Sequence, residues 1–342
     1  MFGSLFASQG DDRDGIATRR EVLALPHCSL LLAVAWISAA ASANAQAFRA
    51  GLTRITVSDS ASFDALIAYP TETAEVSVEE GSFKLSASRD APVAAGPRFP
   101  IVLFSHGNGR GQGTPLVLRD LLLHLAREGF IVIAPFHPAT NRPFVNRPRQ
   151  IRSALDSVLA DVRFSGHADP NRIGMMGFSF GGAVTLIVGG AMTNLAHLSA
   201  YCHDHPDDPR ACDGIPTDGS WANVPSRKSE DTLALKALVL MEPYAAPFER
   251  NGLASLDRPI LIYRALQSDL RAEGNALALA GALPRQPQEV AVSGGHFVFV
   301  DPCPPILAAQ APQICSDPPG VDRNTIHQRL RREIADFFHA NL

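Results

Sequence analysis

From Ile101 onward the chain alternates short continuous apolar runs with longer stretches whose apolar residues recur every three or four positions. Ile101-Val102-Leu103-Phe104 predicts a strand buried on both faces. Leu116 to Glu128 carries leucines at 116, 118, 121, 122, 123 and 125, the spacing of a helix packed on a sheet. Ile131-Val132-Ile133-Ala134 is the next strand, stopped by Pro135, and Ile151 to Phe164 is helical by its apolar positions 151, 154, 155, 158, 159 and 162. Asp169-Pro170-Asn171 predicts a turn and Ile173 to Phe178 a strand. Further strands are expected at Ala237–Met241, Ile260–Tyr263 and Glu289–Val292, with a helical stretch at Ala276–Leu283 between the last two. Upstream, Leu52 to Tyr69 predicts a hairpin or edge pair, ahead of a Ser- and Ala-rich loop around 86–97. Strands alternating with helices imply parallel β-α-β units. The expected fold class is therefore α/β, one doubly wound, mostly parallel sheet with helices on both faces, spanning 46–342 as a single domain. One stretch breaks the alternation: at about 190–235, rich in Asp, Pro, Gly and Ser, a cap-like loop insertion of the kind that often serves as a lid is expected.

The N-terminus has a different pattern. Arg19 and Arg20 precede a mostly apolar run of 12 residues, Leu30 to Ala41, followed by the small-residue triplets 41–43 and 43–45. A basic segment, a short apolar run and an A-x-A site describe an export signal over 1–45, too short to span a bilayer. Thr18-Arg19-Arg20-Glu21-Val22-Leu23 resembles a twin-arginine signal, against an ordinary export signal that happens to hold two arginines. The expected location is periplasmic or secreted. Cys28 precedes the apolar run, which does not suit a lipid-attachment cysteine. Export changes the meaning of Cys202, Cys212, Cys303 and Cys315: in an oxidising compartment they suggest two disulfides. Of three pairings, proximity favours Cys202–Cys212 and Cys303–Cys315. Free thiols are the alternative, and no C-x-x-C spacing suggests a metal.

Composition then removes whole classes. With 30 basic against 34 acidic residues and a net charge of −4 in 342 residues, there is no electrostatic footprint for a nucleic-acid partner. Glycine and proline, 26 each, make the chain loop-rich without making it disordered.

Gly177-Phe178-Ser179-Phe180-Gly181 falls between a predicted strand and a predicted helix, the frame a G-x-S-x-G nucleophile turn requires. A sharp turn lifts the serine hydroxyl above the sheet, and the helix start supplies donors for developing negative charge. A serine needs a base oriented by an acid. His296, in Gly294-Gly295-His296-Phe297 after the last predicted strand, is the expected base. His106 and His137 precede the serine and suit that role less well. Asp269, beyond strand 260–263, is the expected acid, with Glu242, directly after strand 237–241, as the alternative. The backbones of Asn108, in the loop after the first parallel strand, and Phe180 are the expected oxyanion donors. The run Gly107 to Gly113 lacks the Lys-Ser/Thr ending of a phosphate loop. His203, His205, Asp207 and Asp208 are possible metal ligands, but a solvated polar loop is the expectation; no metal and no cofactor are expected.

Phe104-Ser-His-Gly, Glu128-Gly-Phe-Ile-Val-Ile-Ala, Asp169-Pro-Asn-Arg-Ile-Gly, the Ser179 turn and Gly295-His296-Phe297 carry a family resemblance over about 98–342. On these the chain resembles the α/β-hydrolases of the predicted dienelactone hydrolase group and is similar to the plasma platelet-activating-factor acetylhydrolase type. Dienelactone hydrolases use a cysteine nucleophile, where this chain has Ser179; the acetylhydrolase type keeps its acid after the earlier strand, which points to Glu242. The resemblance implies hydrolysis of a small-molecule or lipid-like carboxylic ester, without metal or organic cofactor. A peptidase or acyltransferase on the same fold, or an inactive exported binding protein, are the alternatives. Phe178, Phe180, Phe297 and Phe299 are candidates either for an acyl pocket or for core.

Overall fold

The computed structural model describes residues 48–108 and 113–342. The export signal expected at 1–45, with Cys28, and residues 109–112 of the glycine-rich run lie outside them. The described residues open with two antiparallel pairs, β1 (Arg49–Val57) with β2 (Phe63–Thr71) and β3 (Val76–Glu80) with β4 (Phe83–Arg89). Then follow β5 (Phe99–Ser105), α1 (Arg119–Arg127), β6 (Ile131–Pro135), α2 (Pro143–Ala160), β7 (Ala168–Phe178) and α3 (Phe180–Val188). The next region holds β8 (Met192–Thr193), α4 (Leu195–Asp204), α5 (Pro209–Cys212) and β9 (Arg227–Lys228). The last third contains β10 (Ala237–Met241), α6 (Arg250–Leu253), β11 (Ile260–Ala265), α7 (Ala276–Ala282), β12 (Gln288–Val292), α8 (Pro305–Gln310), α9 (Pro312–Cys315) and α10 (Arg323–Asn341).

Among the described residues ten strands form one sheet in the order β12-β11-β10-β7-β5-β6-β2-β1-β4-β3. The six strands from β12 to β6 are mutually parallel, and β2 joins β6 antiparallel. Alternate side chains feed two cores. Ile101 and Leu103 of β5 pack with Ile151, Leu155 and Leu186 of α2 and α3 on one face. Val102 and Phe104 pack with Leu122, Leu125, Ile334 and Phe338 of α1 and α10 on the other. This is a mixed α/β architecture with a large, mostly parallel sheet. Chain order reverses at β5, which pairs with β6 on one side and β7 on the other, so the loops leaving β5 and β7 diverge from a switch point where such sheets form binding crevices.

Several expectations need correction. The turn at Asp169–Asn171 is a bulge inside β7: Pro100 pairs with Asp169 and Ile101 with Ile173, leaving three residues looped out. The Asp169 carboxylate accepts the Asn171 N–H at 3.0 Å and an Arg172 N–H at 2.7 Å, which folds the bulge locally. The loop expected at 86–97 begins later, because β4 runs to Arg89. Helix α2 starts earlier and stops at Ala160, where the Asp161 side chain accepts the Arg163 N–H and ends it. The insertion at about 190–235 is not a structureless loop. Asn194 and Asp208 cap α4 and α5 with their side chains, and β8 pairs with β9. Cys202–Cys212 and Cys303–Cys315 are disulfides, the pairing proximity favoured. No helix among the described residues is long and apolar enough to cross a membrane.

Candidate active site

The C-terminal ends of β5, β7, β10, β11 and β12 carry, in turn, the Ser105–Asn108 loop, Ser179, Glu242, the loop to Asp269 and the turn with His296. Ser179 sits between β7 and α3 at φ 54° and ψ −120°, a backbone region costing a non-glycine residue about 1–3 kcal/mol. The surroundings hold it there. Its N–H donates to the Met241 carbonyl at 2.9 Å, and its own carbonyl accepts from Gly182 at 2.8 Å and Tyr244 at 3.0 Å. The flanking glycines are required by space. A β-carbon on Gly177 would lie 2.1 Å from the Gly181 carbonyl oxygen, and one on Gly181 would lie 1.8 Å from the Ser105 carbonyl oxygen.

His296 opens a 3-10 turn, His296–Phe299, after β12, and places Nε2 3.0 Å from Ser179 Oγ. It is buried among Phe178, at 5.2 Å between ring centroids, and Phe297, at 5.0 Å edge-on. Burial, reinforced by the Arg210 charge and opposed by Asp269, pulls the imidazole down to about 3, so the ring is neutral near pH 7. For Nε2 to accept the serine proton, Nδ1 must carry its own hydrogen, and Nδ1 is buried with no hydrogen-bond partner.

Neither candidate acid supplies that partner. Asp269, expected to orient His296, instead receives both Nε and Nη2 of Arg210. Burial pushes the Asp269 carboxyl up, but the Arg210 hydrogen bonds and charge, together with His296, outweigh it and hold the group below the usual carboxylate range. Glu242 is 2% exposed and takes φ 45°, and its Oε2 accepts the Ala265 N–H at 2.5 Å. Burial pushes its carboxyl up to about 7, against hydrogen bonds from Ser268 and Ala265. The structure thus clusters both carboxylates on loops beside the histidine loop, where the Gln267 N–H donates to Gly294 at 2.9 Å, without joining either to the imidazole.

The expected oxyanion loop lies against the serine: a β-carbon on Gly107 would be 3.5 Å from Ser179 Cβ. Phe180 opens α3, so its N–H is among those a helix leaves without an internal partner. Beneath the loop is a buried network that sequence reasoning missed. The His137 backbone N–H donates to His106 Nε2 at 3.3 Å, so His106 carries its proton on Nδ1 and donates to the Gly107 carbonyl at 2.7 Å. His137 joins Ser105 Oγ at 3.0 Å and Gln150 Oε1 at 2.7 Å. Arg147 donates to the His106 carbonyl at 2.8 Å and to Asn108 Oδ1 at 3.2 Å. Burial and then the Arg147 charge bring His106 down to about 3, and the same two causes hold His137 well below its ordinary value. Both rings spend their nitrogens on the loop and its supports, whereas His296 is the histidine placed on Ser179 Oγ.

Ser179, His296 and Asp269 open into a cleft of about 1850 Å³. Phe144, Phe180, Trp221, Tyr244 and Phe297 line it, as do Arg210 from the segment closed by Cys202–Cys212 and Ile306 and Ile314 from that closed by Cys303–Cys315. Of the four phenylalanines in question, Phe299 is core, and Phe178, Phe180 and Phe297 reach the cleft. Of the four polar residues considered as metal ligands, three are otherwise engaged. Asp208 caps α5 and accepts the Tyr201 hydroxyl at 2.7 Å, His205 stacks on Tyr201, and Asp207 pairs with Arg271. Among the described residues no group of three or more His, Cys, Asp or Glu side chains is placed to hold a metal ion. Compared with known proteins, the chain matches no family model and no curated sequence significantly.

Proposed function

We propose that this chain is an exported carboxylic ester hydrolase on an α/β-hydrolase fold, working through a serine acyl-enzyme. The observation that carries the reading is the 3.0 Å contact between Ser179 Oγ and His296 Nε2 at a strained strand-to-helix turn. In the proposed reaction Ser179 Oγ attacks the ester carbonyl while His296 Nε2 takes its proton. The oxyanion is held by the backbone N–H groups of Phe180 and Asn108, each worth about 10²–10³ in rate. His296 then returns the proton to the departing alkoxide, and a water, deprotonated by the same nitrogen, releases the acid and restores Ser179. Asp269, with Glu242 as the alternative, stabilises the imidazolium.

The cleft's size, above the roughly 300–1,000 Å³ of a small-ligand site, and its aromatic lining favour a bulky or lipid-like ester. Two disulfides accord with export to an oxidising compartment. The test is to label the protein with a fluorophosphonate and follow p-nitrophenyl ester hydrolysis beside peptide amides. Labelling at Ser179, a burst of nitrophenol and faster ester than amide turnover are expected. Full activity in Ser179→Ala would end the reading, and faster amide cleavage would turn it to a peptidase.

A further inference from the structure

The cleft holds an ion pair outside the Ser179–His296 couple. Arg210 lies in α5, two residues before Cys212, so the Cys202–Cys212 disulfide and the Asp208 cap fix the short helix that carries it. Its Nε and Nη2 donate to the two carboxylate oxygens of Asp269. Its guanidinium carbon stands 5.0 Å over the Phe297 ring, which in turn meets His296 edge-on. A guanidinium both forked onto a carboxylate and stacked on an aromatic ring is a rigid anchor. Beside it, His296 Nδ1 is buried and unpartnered. The charged groups acting on His296 are Arg210 from α5 and Asp269 from the loop after β11, and Asp269 also acts on Glu242 at the end of β10.

An imidazole that accepts a proton at Nε2 becomes a cation with an Nδ1–H to place. A carboxylate has about four acceptor positions, so it can hold the Arg210 fork and still take one more hydrogen bond. We propose that Arg210 is a positioning residue for this site: it holds Asp269 while His296 is neutral, and the same carboxylate turns to accept the Nδ1–H when the imidazolium forms. The catalytic part of this inference rests on the ester-hydrolase reading; the coupling of the three side chains does not.

The coupling has a definite sign. The guanidinium disfavours a second cation nearby and also neutralises Asp269. Removing it takes away a repulsion and leaves a bare carboxylate beside the imidazole, and both changes favour the imidazolium. The His296 pKa therefore rises in Arg210→Ala, by about one pH unit or more. Because ester attack needs the neutral base, the acid limb of kcat/KM moves up with it. Lysine at 210 keeps the charge and loses the fork and the stack.

The test follows the His296 Cε1–H resonance by NMR between pH 2 and 9 in the purified full chain, assigned by its loss in His296→Asn. The acid limb of kcat/KM on a p-nitrophenyl ester is recorded in parallel. Arg210→Ala is expected to raise both, while Arg210→Lys keeps the resonance near its wild-type midpoint and loses several-fold in kcat. An Arg210→Ala protein whose resonance and limb stay in place overturns the proposal, as does equal loss of activity in both variants without any shift. Should Arg210→Ala not fold, Asp269→Asn decides: it must lower the His296 midpoint, and a rise or no change refutes the coupling. A resonance shift in a protein that hydrolyses no ester and takes no fluorophosphonate would keep the coupling and remove the ester-hydrolase reading, so the two failures are distinct.

Discussion

Replacing Glu242 by glutamine exchanges a titrating carboxyl for a neutral amide of the same shape, in a place where the carboxyl is buried and faces no cation within hydrogen-bond reach. Burial outweighs the Ser268 and Ala265 hydrogen bonds and moves the group from an ordinary 4.5 to about 7. The native state therefore keeps this proton until about pH 7, whereas the unfolded chain releases it near 4.5. Between those values the native state binds more protons than the unfolded one, so stability falls as pH rises and levels off above the native value. The gap corresponds to about 3 kcal/mol. Glutamine retains an oxygen for the Ala265 N–H and has nothing to release. At pH 8 Glu242→Gln should melt above wild type by about 6 °C, taking about 2 °C per kcal/mol for a domain of this size. At pH 4.5 the two should melt within a degree or two. The assay is a pair of thermal unfolding curves followed by circular dichroism at each pH. A difference equal at both pH values, or a variant less stable at pH 8, would refute the burial argument.

The same substitution, set beside Asp269→Asn, assigns the acid. With Asp269 in that role, Asp269→Asn should lose about 10³–10⁴ in kcat on a p-nitrophenyl ester while Glu242→Gln stays within a few-fold; the reverse result would move the role to Glu242. Gly181→Ala should lose 3 kcal/mol or more in chemical denaturation, because its β-carbon would meet the Ser105 backbone oxygen at 1.8 Å, and wild-type stability would contradict that contact. Opening the second disulfide in a Cys303→Ser/Cys315→Ser double variant should cost about 3 kcal/mol, the chain-entropy value for a loop of this length, and an unchanged denaturation midpoint would deny it that role.

What the chain's pattern could and could not reveal follows from the range over which each signal acts. Buried parallel strands announce themselves as continuous apolar runs, so the runs at 101–104, 131–134 and 237–241 fall within β5, β6 and β10. The hairpin of β3 and β4 was also legible, in the alternation of Val76 and Val78 with Phe83, Leu85 and Ala87, but the small residues around it resemble a loop. Helix α10 likewise carries apolar positions 326, 330, 334, 337 and 338 at helical spacing. Ser179 and His296 were legible because each lies in a short glycine-flanked segment at the end of a strand. Arg147 and Arg210 were not. Arg147 acts on a loop about 40 residues away along the chain and Arg210 on a carboxylate 59 residues away, and no local spacing encodes either meeting. The choice between Asp269 and Glu242 stayed open for the same reason, since it turns on which side chain faces one nitrogen.

The left-handed backbone at Ser179 has an evolutionary edge to it. A glycine there would make the same turn without a β-carbon to strain it, and the fold would gain about 1 kcal/mol or more. The residue best suited to the turn is thus not the one that carries the hydroxyl. A lineage selected for endurance alone, or a laboratory screen scored on melting temperature, would drift toward glycine at 179 and a sturdier scaffold without that hydroxyl. Screens for hardier variants of this protein should therefore be scored on the proposed ester turnover as well as heat.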